Sequence, residues 1–135
     1  MASIDQLVEA SIYVDDLEKA IVFYRDVLCL ESIGVEPGRH AFFKVGQGVL
    51  LIFVPEVTRR EGDTPPHGAT GPGHIALGIP EGSIPEWRQR LETVGVAIEK
   101  QTDWPKGSCS IYFRDPAGNS VELITPGLWG LPSGY

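Results

Sequence analysis

The chain has 135 residues, with 18 acidic against 11 basic side chains and a formal net charge of −7. This length is enough for one domain with a modest core. The acidic balance argues against nucleic acid, because phosphate binding depends on Lys and Arg, and also against anionic membrane surfaces. No apolar run approaches the roughly 18 residues of a membrane span. We therefore expect neither nucleic-acid nor membrane partners.

The first half of the chain has the pattern of one strand, one helix and three further strands. Residues 8–14 alternate as a strand does, and Asp15 with Glu18 has the spacing of a helix-capping box. Apolar side chains at helical spacing follow, at Leu17, Ile21, Tyr24 and Leu28. Short strands are predicted around residues 31–35, 40–45 and 49–54.

The second half repeats this order after a polar segment rich in Pro and Gly. We place a first module at residues 1–55, a linker at 56–72, a second module at 73–126 and a tail at 127–135. In the second module, Ser83 and Glu86 repeat the capping spacing. Its strands are predicted at residues 74–79, 96–100, 109–114 and 120–124.

The order β-α-β-β-β, written twice, predicts an α+β fold in a single domain. One such module leaves a sheet face uncovered, and two modules can close their sheets around a shared concave cavity. Because side chains alternate along a strand, Glu9, His74 and Glu122 are predicted on that concave face, with Leu51 at the fourth equivalent position.

Two carboxylates and one imidazole could neutralise a divalent metal and leave coordination positions open for a substrate. The alternatives are ordinary ones: a glutamate at a strand end can be a solvated charge, and a strand histidine can be structural. The candidate cavity-lining side chains are Tyr13, Phe53, Ser110 and Tyr112, whose alternative role is packing.

Three stretches carry a family resemblance: EASIYVDDLEKAIVFYRDVLCLE, GHIALGI and IYFRDPAGNSVELITP. Together they resemble the vicinal oxygen chelate superfamily, which includes glyoxalase I, extradiol dioxygenases, fosfomycin-resistance enzymes and bleomycin-binding proteins. The resemblance implies two βαβββ modules around a metal cavity. It also implies a metal held by Glu9, His74 and Glu122, with Mn, Fe, Co, Ni or Zn as candidates.

The resemblance also sets the expected chemistry. A substrate chelates the metal through two neighbouring oxygens, and in some members a ligand carboxylate acts as a base, for which Glu9 and Glu122 are the candidates. Ser110 and Tyr112 resemble substrate-contact positions of fosfomycin-resistance enzymes. Leu51, where many glyoxalase I enzymes have a fourth ligand, departs from that pattern. Glu9 departs from the two-histidine site of the ring-cleaving dioxygenases.

We therefore expect a metal-dependent enzyme that acts on a small oxygenated molecule, as a lyase, isomerase or transferase rather than a ring-cleaving dioxygenase. The alternative is a metal-free binding protein of the bleomycin-resistance type. A homodimer is implied by the resemblance. Two cysteines outside any CxxC spacing, and no recognisable secretion signal, favour a cytoplasmic protein.

The remaining histidines and tryptophans are given secondary roles. His40 and His67 are predicted to be surface residues, and His67 could also approach the site as an additional ligand. Trp104 and Trp129 lie in segments flanked by Pro and Gly, where we expect packing rather than ligand contact.

Overall fold

The computed structural model describes all 135 residues and divides into two compact units, residues 1–71 and 72–135. The boundary falls inside the segment that the sequence predicts as a linker. Each unit contains a four-stranded sheet and helical segments. None of the helices is long and apolar enough to cross a membrane.

The first unit contains four strands and two helices. Its elements are β1 (Glu9–Tyr13), α1 (Leu17–Val22, continued by a π-helical turn at Phe23–Val27), β2 (Glu31–Glu36), β3 (His40–Val45), β4 (Gly48–Phe53) and α2 (Pro55–Thr58). The strand order is β1-β4-β3-β2, with β1 parallel to β4 and the other pairs antiparallel.

Helix α1 begins one residue later than the sequence predicts. Its N-cap is Asp16, whose carboxylate accepts a hydrogen bond from the Lys19 backbone N–H at 3.1 Å, whereas Asp15 lies outside the helix. This bond satisfies one of the amide groups left without a partner in the first turn. The helix then places Leu17, Ala20 and Ile21 against the sheet, where all three are buried.

The two faces of the first sheet differ in character. Side chains buried against the helix side are Ala41, Phe43, Leu50 and Ile52. Burial of each large apolar side chain contributes about 1.5–3 kcal/mol. The alternate positions of β1, which are Glu9, Ser11 and Tyr13, lie on the other face, as the period of two predicts.

The second unit repeats this arrangement. Its elements are β5 (His74–Gly78), α3 (Ile84–Thr93), β6 (Lys100–Asp103), a 3₁₀ turn (Pro105–Gly107), β7 (Cys109–Arg114) and β8 (Ser120–Ile124). The strand order is β5-β8-β7-β6, and β5 runs parallel to β8. The α+β class and the repeated β-α-β-β-β order are thus confirmed.

Two local predictions in the second unit are wrong. Strand β6 lies at Lys100–Asp103 rather than at the predicted residues 96–100. The chain stays irregular after Gly95, whose φ is +77°. This strand is polar and lies at the sheet edge, so the apolar pattern that marks a buried strand is missing. Ser83 is the N-cap of α3, but its hydroxyl donates to the Pro80 carbonyl at 2.6 Å instead of capping the helix.

Candidate functional site

His74 and Glu122 lie together on one face of the second sheet. Their strands, β5 and β8, are parallel neighbours, and the register pairs Ala76 with Glu122, so His74 is one diagonal step away. His74 Nε2 lies 3.3 Å from Glu122 Oε1. The histidine side chain is half exposed, whereas Glu122 is buried.

The hydrogen bonds around this pair fix which atoms carry protons. His74 Nδ1 lies 3.1 Å from the Ser120 carbonyl oxygen, and a carbonyl can only accept, so Nδ1 carries the proton. In the neutral ring, Nε2 then has a lone pair directed at a carboxylate oxygen. Two acceptors at 3.3 Å need a cation between them, either a proton or a metal ion.

The His74–Glu122 separation fits two ligands of one metal ion. Metal–nitrogen and metal–oxygen bonds of about 2.0–2.2 Å place neighbouring ligand atoms about 2.9–3.5 Å apart. A histidine that donates its second ring proton to a backbone carbonyl is the usual form of a metal-binding histidine. The donor chemistry of this pair therefore fits a divalent transition metal.

A buried chain of hydrogen bonds holds the Glu122 carboxylate. The Ser110 hydroxyl donates to Glu122 Oε2 at 2.5 Å, and Trp104 Nε1–H donates to the Ser110 oxygen at 2.8 Å. Ser110 is fully buried. Because one carboxylate oxygen is bonded to Ser110, the other, Oε1, is directed at His74.

We expect Trp104→Phe to weaken divalent-metal binding by about tenfold, the lower range for groups that orient a metal ligand. Phenylalanine keeps an aromatic ring, although a smaller one, but removes the indole N–H donor, so Ser110 loses the bond that fixes its hydroxyl. Titration of Mn²⁺ by calorimetry measures the effect. Trp129→Phe is the control, because that side chain is 72% exposed. Equal affinities in the two variants would contradict the orienting role.

The turn between β7 and β8 fixes the start of β5. Asp115 Oδ1 accepts hydrogen bonds from the backbone amides of Ala117 and Asn119, and Asp115 Oδ2 accepts from Asn119 Nδ2. Asn119 Oδ1 in turn accepts from the Gly73 amide at 2.7 Å, directly before His74. Through the buried side chains of Asp115 and Asn119, the DPAGN segment therefore acts as a clamp on the strand that carries the histidine.

Two tyrosine rings lie at the edges of the same face of the second sheet. Tyr112 stacks near the His74 ring, with centroids 6.4 Å apart, and burial followed by the negative charge of Glu122 raises the pKa of the Tyr112 hydroxyl. The Tyr135 ring lies against Gly78, where any β-carbon would collide with it. The tail thus covers the Gly78 end of β5, and a β-carbon there would have to displace the Tyr135 ring.

The first unit contains a cavity of about 740 Å³ on the concave side of its sheet. The residues that line it are Glu9, Ser11, Tyr13, Ile33, Arg39, His40, Phe42, Val49, Leu51, Phe53, Thr64, Pro65 and His67. Its volume is in the range of small-molecule sites. Tyr13 and Phe53 were predicted as cavity residues and line this one, whereas Ser110 and Tyr112 belong to the second unit.

His40 and His67 were predicted at the surface, but both are partly buried in the cavity wall. His67 Nδ1 and the Tyr13 hydroxyl share a hydrogen bond of 2.6 Å. His40 stacks on Phe42 with ring centroids 4.0 Å apart. Its Nδ1 is buried without a hydrogen bond, since the nearest carboxylate, that of Glu36, lies 3.5 Å away, and burial lowers the pKa of the ring.

Glu9, the third predicted ligand, is exposed at the start of β1 and lines this first-unit cavity. His74 and Glu122 belong to the second unit. No group of three or more His, Cys, Asp or Glu side chains in the structure is arranged to hold a metal ion. The structure therefore brings two of the three predicted ligands together.

A family model described as "Glyoxalase/Bleomycin resistance protein/Dioxygenase superfamily" matches residues 3–123. The chain belongs to this superfamily. A solved structure of lactoylglutathione lyase from Agrobacterium tumefaciens is 40% identical to it, with a TM-score of 0.90, and the match covers 96% of this chain and 100% of the other.

Curated members of the superfamily also match. Metallothiol transferase FosB from Staphylococcus saprophyticus is 35% identical over 114 residues, which are 83% of this chain and 71% of the relative. Lactoylglutathione lyase from Pseudomonas putida is 27% identical over an alignment of 141 positions that covers 84% of this chain and 80% of the relative. The resemblance drawn from the three sequence stretches is confirmed at the level of the superfamily.

The observed contacts of three side chains, His40, His67 and Trp104, were not predicted from the sequence. His40 had a usable signal, because it alternates with Phe42 along a predicted strand and therefore shares its face. His67 had none, since the segment that carries it has no period. The contact of Trp104 with Ser110 was equally hidden, because it depends on a 3₁₀ turn at Pro105–Gly107.

Proposed function

We propose that the protein is a metal-dependent enzyme whose divalent ion, one of Mn, Fe, Co, Ni or Zn, is bound by Glu9, His74 and Glu122. The proposal is supported above all by the His74–Glu122 pair, in which an imidazole nitrogen and a carboxylate oxygen lie 3.3 Å apart. Glu9 would contribute from the first unit, of the same chain or of a second copy. The substrate is a small molecule that offers two neighbouring oxygens.

A bound divalent ion supplies Lewis acidity, which stabilises negative charge that develops on substrate oxygens. The two carboxylates of the chain have different roles. Glu122 is buried and hydrogen-bonded to Ser110, so it would serve as a fixed metal ligand. Glu9 is exposed on a cavity wall, and a carboxylate that takes a proton from a substrate needs such freedom. We therefore assign the general base to Glu9 rather than to Glu122.

A lyase, isomerase or transferase reaction is favoured over ring cleavage. This preference rests on Glu9, which occupies the position where the ring-cleaving members of the superfamily have a second histidine. The homodimer and the cytoplasmic location remain predictions. Neither Cys29 nor Cys109 forms a disulfide, in keeping with a reducing compartment.

Elemental analysis of protein purified without a metal-affinity tag tests the proposal. We expect about one equivalent of a transition metal per chain in the wild type, and its loss in His74→Ala, because the only imidazole of the set is removed. His67→Gln is the matched control, since it removes a histidine outside the proposed ligand set. A wild type that stays metal-free, and takes up none of the five added metals, would contradict the proposal.

The first-unit cavity supports a second candidate, a metal-free protein that sequesters a ligand. Its 740 Å³ and its aromatic wall are adequate for a small molecule without any metal. Addition of a metal chelator distinguishes the two functions. A sequestering protein would bind a ligand in the presence of a chelator and release it chemically unchanged, whereas the enzyme would lose turnover on chelation.

A further inference from the structure

The concave face of the first sheet is polarised along its strands. The register places Glu9 beside Val49 at one end, and Tyr13 beside Phe53 at the other. Tyr13 lies four positions after Glu9 on β1, which is roughly 13 Å in an extended strand. His40 pairs with Phe53, and Arg39 precedes it, so both lie at the end away from Glu9. The cavity therefore has an acidic end and an aromatic, basic end.

Five rings meet at the basic end of the cavity, and they are Tyr13, His40, Phe42, Phe53 and His67. Phe53 is central, with its centroid 6.3 Å from Tyr13, 5.7 Å from Phe42 and 4.8 Å from His67. Rings that only fill a core are fully enclosed, as Phe43 is at 0% exposure. All of these five except Phe53 keep part of their surface open. Such a wall offers faces and edges to a flat ligand.

The charges at this end favour an anion. Arg39 is a permanent cation, and its side chain is one-third exposed. Its partner Glu36 lies 3.3 Å away and is more than half exposed, and ion pairs between such exposed groups are weak. A guanidinium has five N–H donors in a fork that matches a carboxylate, so one such contact leaves donors for a ligand.

We infer that the first-unit cavity binds a flat, aromatic carboxylate, with its carboxylate on Arg39 and its ring among Tyr13, Phe53 and the neighbouring rings. The hydrogen-bonded Tyr13–His67 pair supplies a polar group beside that ring. Substituents at the far side of the ligand point toward Glu9. This assignment deepens the proposed function by naming its substrate class, and it rests on that function only where Glu9 is concerned.

The segment between α2 and β5 completes the site. Thr64, Pro65 and His67 line the cavity from this segment. The His67 amide donates to the Thr58 carbonyl at 2.9 Å, which fixes the segment to the end of α2. A ligand that enters the cavity therefore contacts His67 in a defined position.

Benzoate is a direct probe, with cyclohexanecarboxylate and benzyl alcohol as matched comparisons. Cyclohexanecarboxylate keeps the negative charge but has no flat ring, and benzyl alcohol keeps the flat ring but has no charge. Nuclear magnetic resonance of the ring nitrogens follows His40 and His67 in the full chain. We expect benzoate to shift both signals and to bind about tenfold more tightly than either comparison. Equal binding of benzoate and cyclohexanecarboxylate would overturn the inference.

Arg39→Gln tests the anion contact. We expect it to lower benzoate affinity about tenfold and to leave that of benzyl alcohol unchanged, because a bond to a charged group is lost. Arg60→Gln is the control, since Arg60 is exposed and does not line the cavity. Unchanged benzoate affinity in Arg39→Gln would contradict the assignment.

The titrations are made with metal-free protein and with protein exposed in turn to Mn²⁺, Fe²⁺, Co²⁺, Ni²⁺ and Zn²⁺, so that the two proposals can fail separately. Benzoate binding without any metal uptake would refute the metal-dependent function and support the cavity assignment. Metal uptake without benzoate binding would support the metal-dependent function and refute the cavity assignment.

Discussion

Glu122→Gln is expected to reduce affinity for Mn²⁺ by at least about 100-fold, beyond the usual loss for groups that only orient a ligand. The amide has almost the shape of the carboxylate but no negative charge, and it is a poorer ligand for a divalent ion. Its oxygen can still accept from Ser110, so the buried hydrogen bond is kept. Calorimetric titration measures the affinity, and circular dichroism checks the fold.

The control for this variant is Glu81→Gln, which removes the same charge from an exposed position in the same unit. It corrects for the general effect of net charge on cation binding. Equal Mn²⁺ affinity in Glu122→Gln, Glu81→Gln and the wild type would mean that Glu122 is not a ligand. The short contact with His74 would then be a shared proton.

Asp115→Ala is expected to lower the free energy of unfolding by about 3–5 kcal/mol. The carboxylate accepts three hydrogen bonds in a buried turn, so alanine leaves the amides of Ala117 and Asn119 and the Asn119 side-chain NH₂ without their acceptor. Each buried donor that loses its partner costs about 1–3 kcal/mol. Urea denaturation followed by fluorescence measures the change.

The same variant is expected to disturb the metal site from a distance. Asn119 holds the Gly73 amide beside His74, and Asn119 is itself held by Asp115. Asp63→Ala is the control, since that residue is exposed in the segment after α2. If Asp115→Ala and Asp63→Ala lowered the free energy of unfolding and the Mn²⁺ affinity by equal amounts, the turn would not be the clamp that the hydrogen bonds indicate.

The accuracy with which the sequence predicts the bounds of strands and helices differs between elements, and the reasons are physical. Strands β7 and β8 were predicted with their observed bounds, because apolar residues alternate on both and the DPAGN turn separates them. Strand β6 was misplaced, because an edge strand has no apolar face to reveal it. The N-cap of α1 was off by one residue, since Asp15 and Asp16 have the same capping chemistry and only the backbone distinguishes them.

The sequence by itself determined which face of each strand a side chain occupies. The period of two is a local property, and it placed Glu9, Tyr13 and Phe53 on the cavity side of their strands. It also determined the family, through motifs long enough to be specific, and the set of possible ligand chemistries.

Only the tertiary structure decided which distant groups meet. Parallel pairing of β5 with β8 brings His74 within 3.3 Å of Glu122, and the hydrogen bond to Ser120 fixes its proton. The pairing of Tyr13 with His67 depends on an irregular segment. Strand pairing and loop position are set by long-range packing, which has no period in the sequence. The sequence therefore predicted that His74 and Glu122 share a site but not the distance between them, and it gave no signal for the Tyr13–His67 contact.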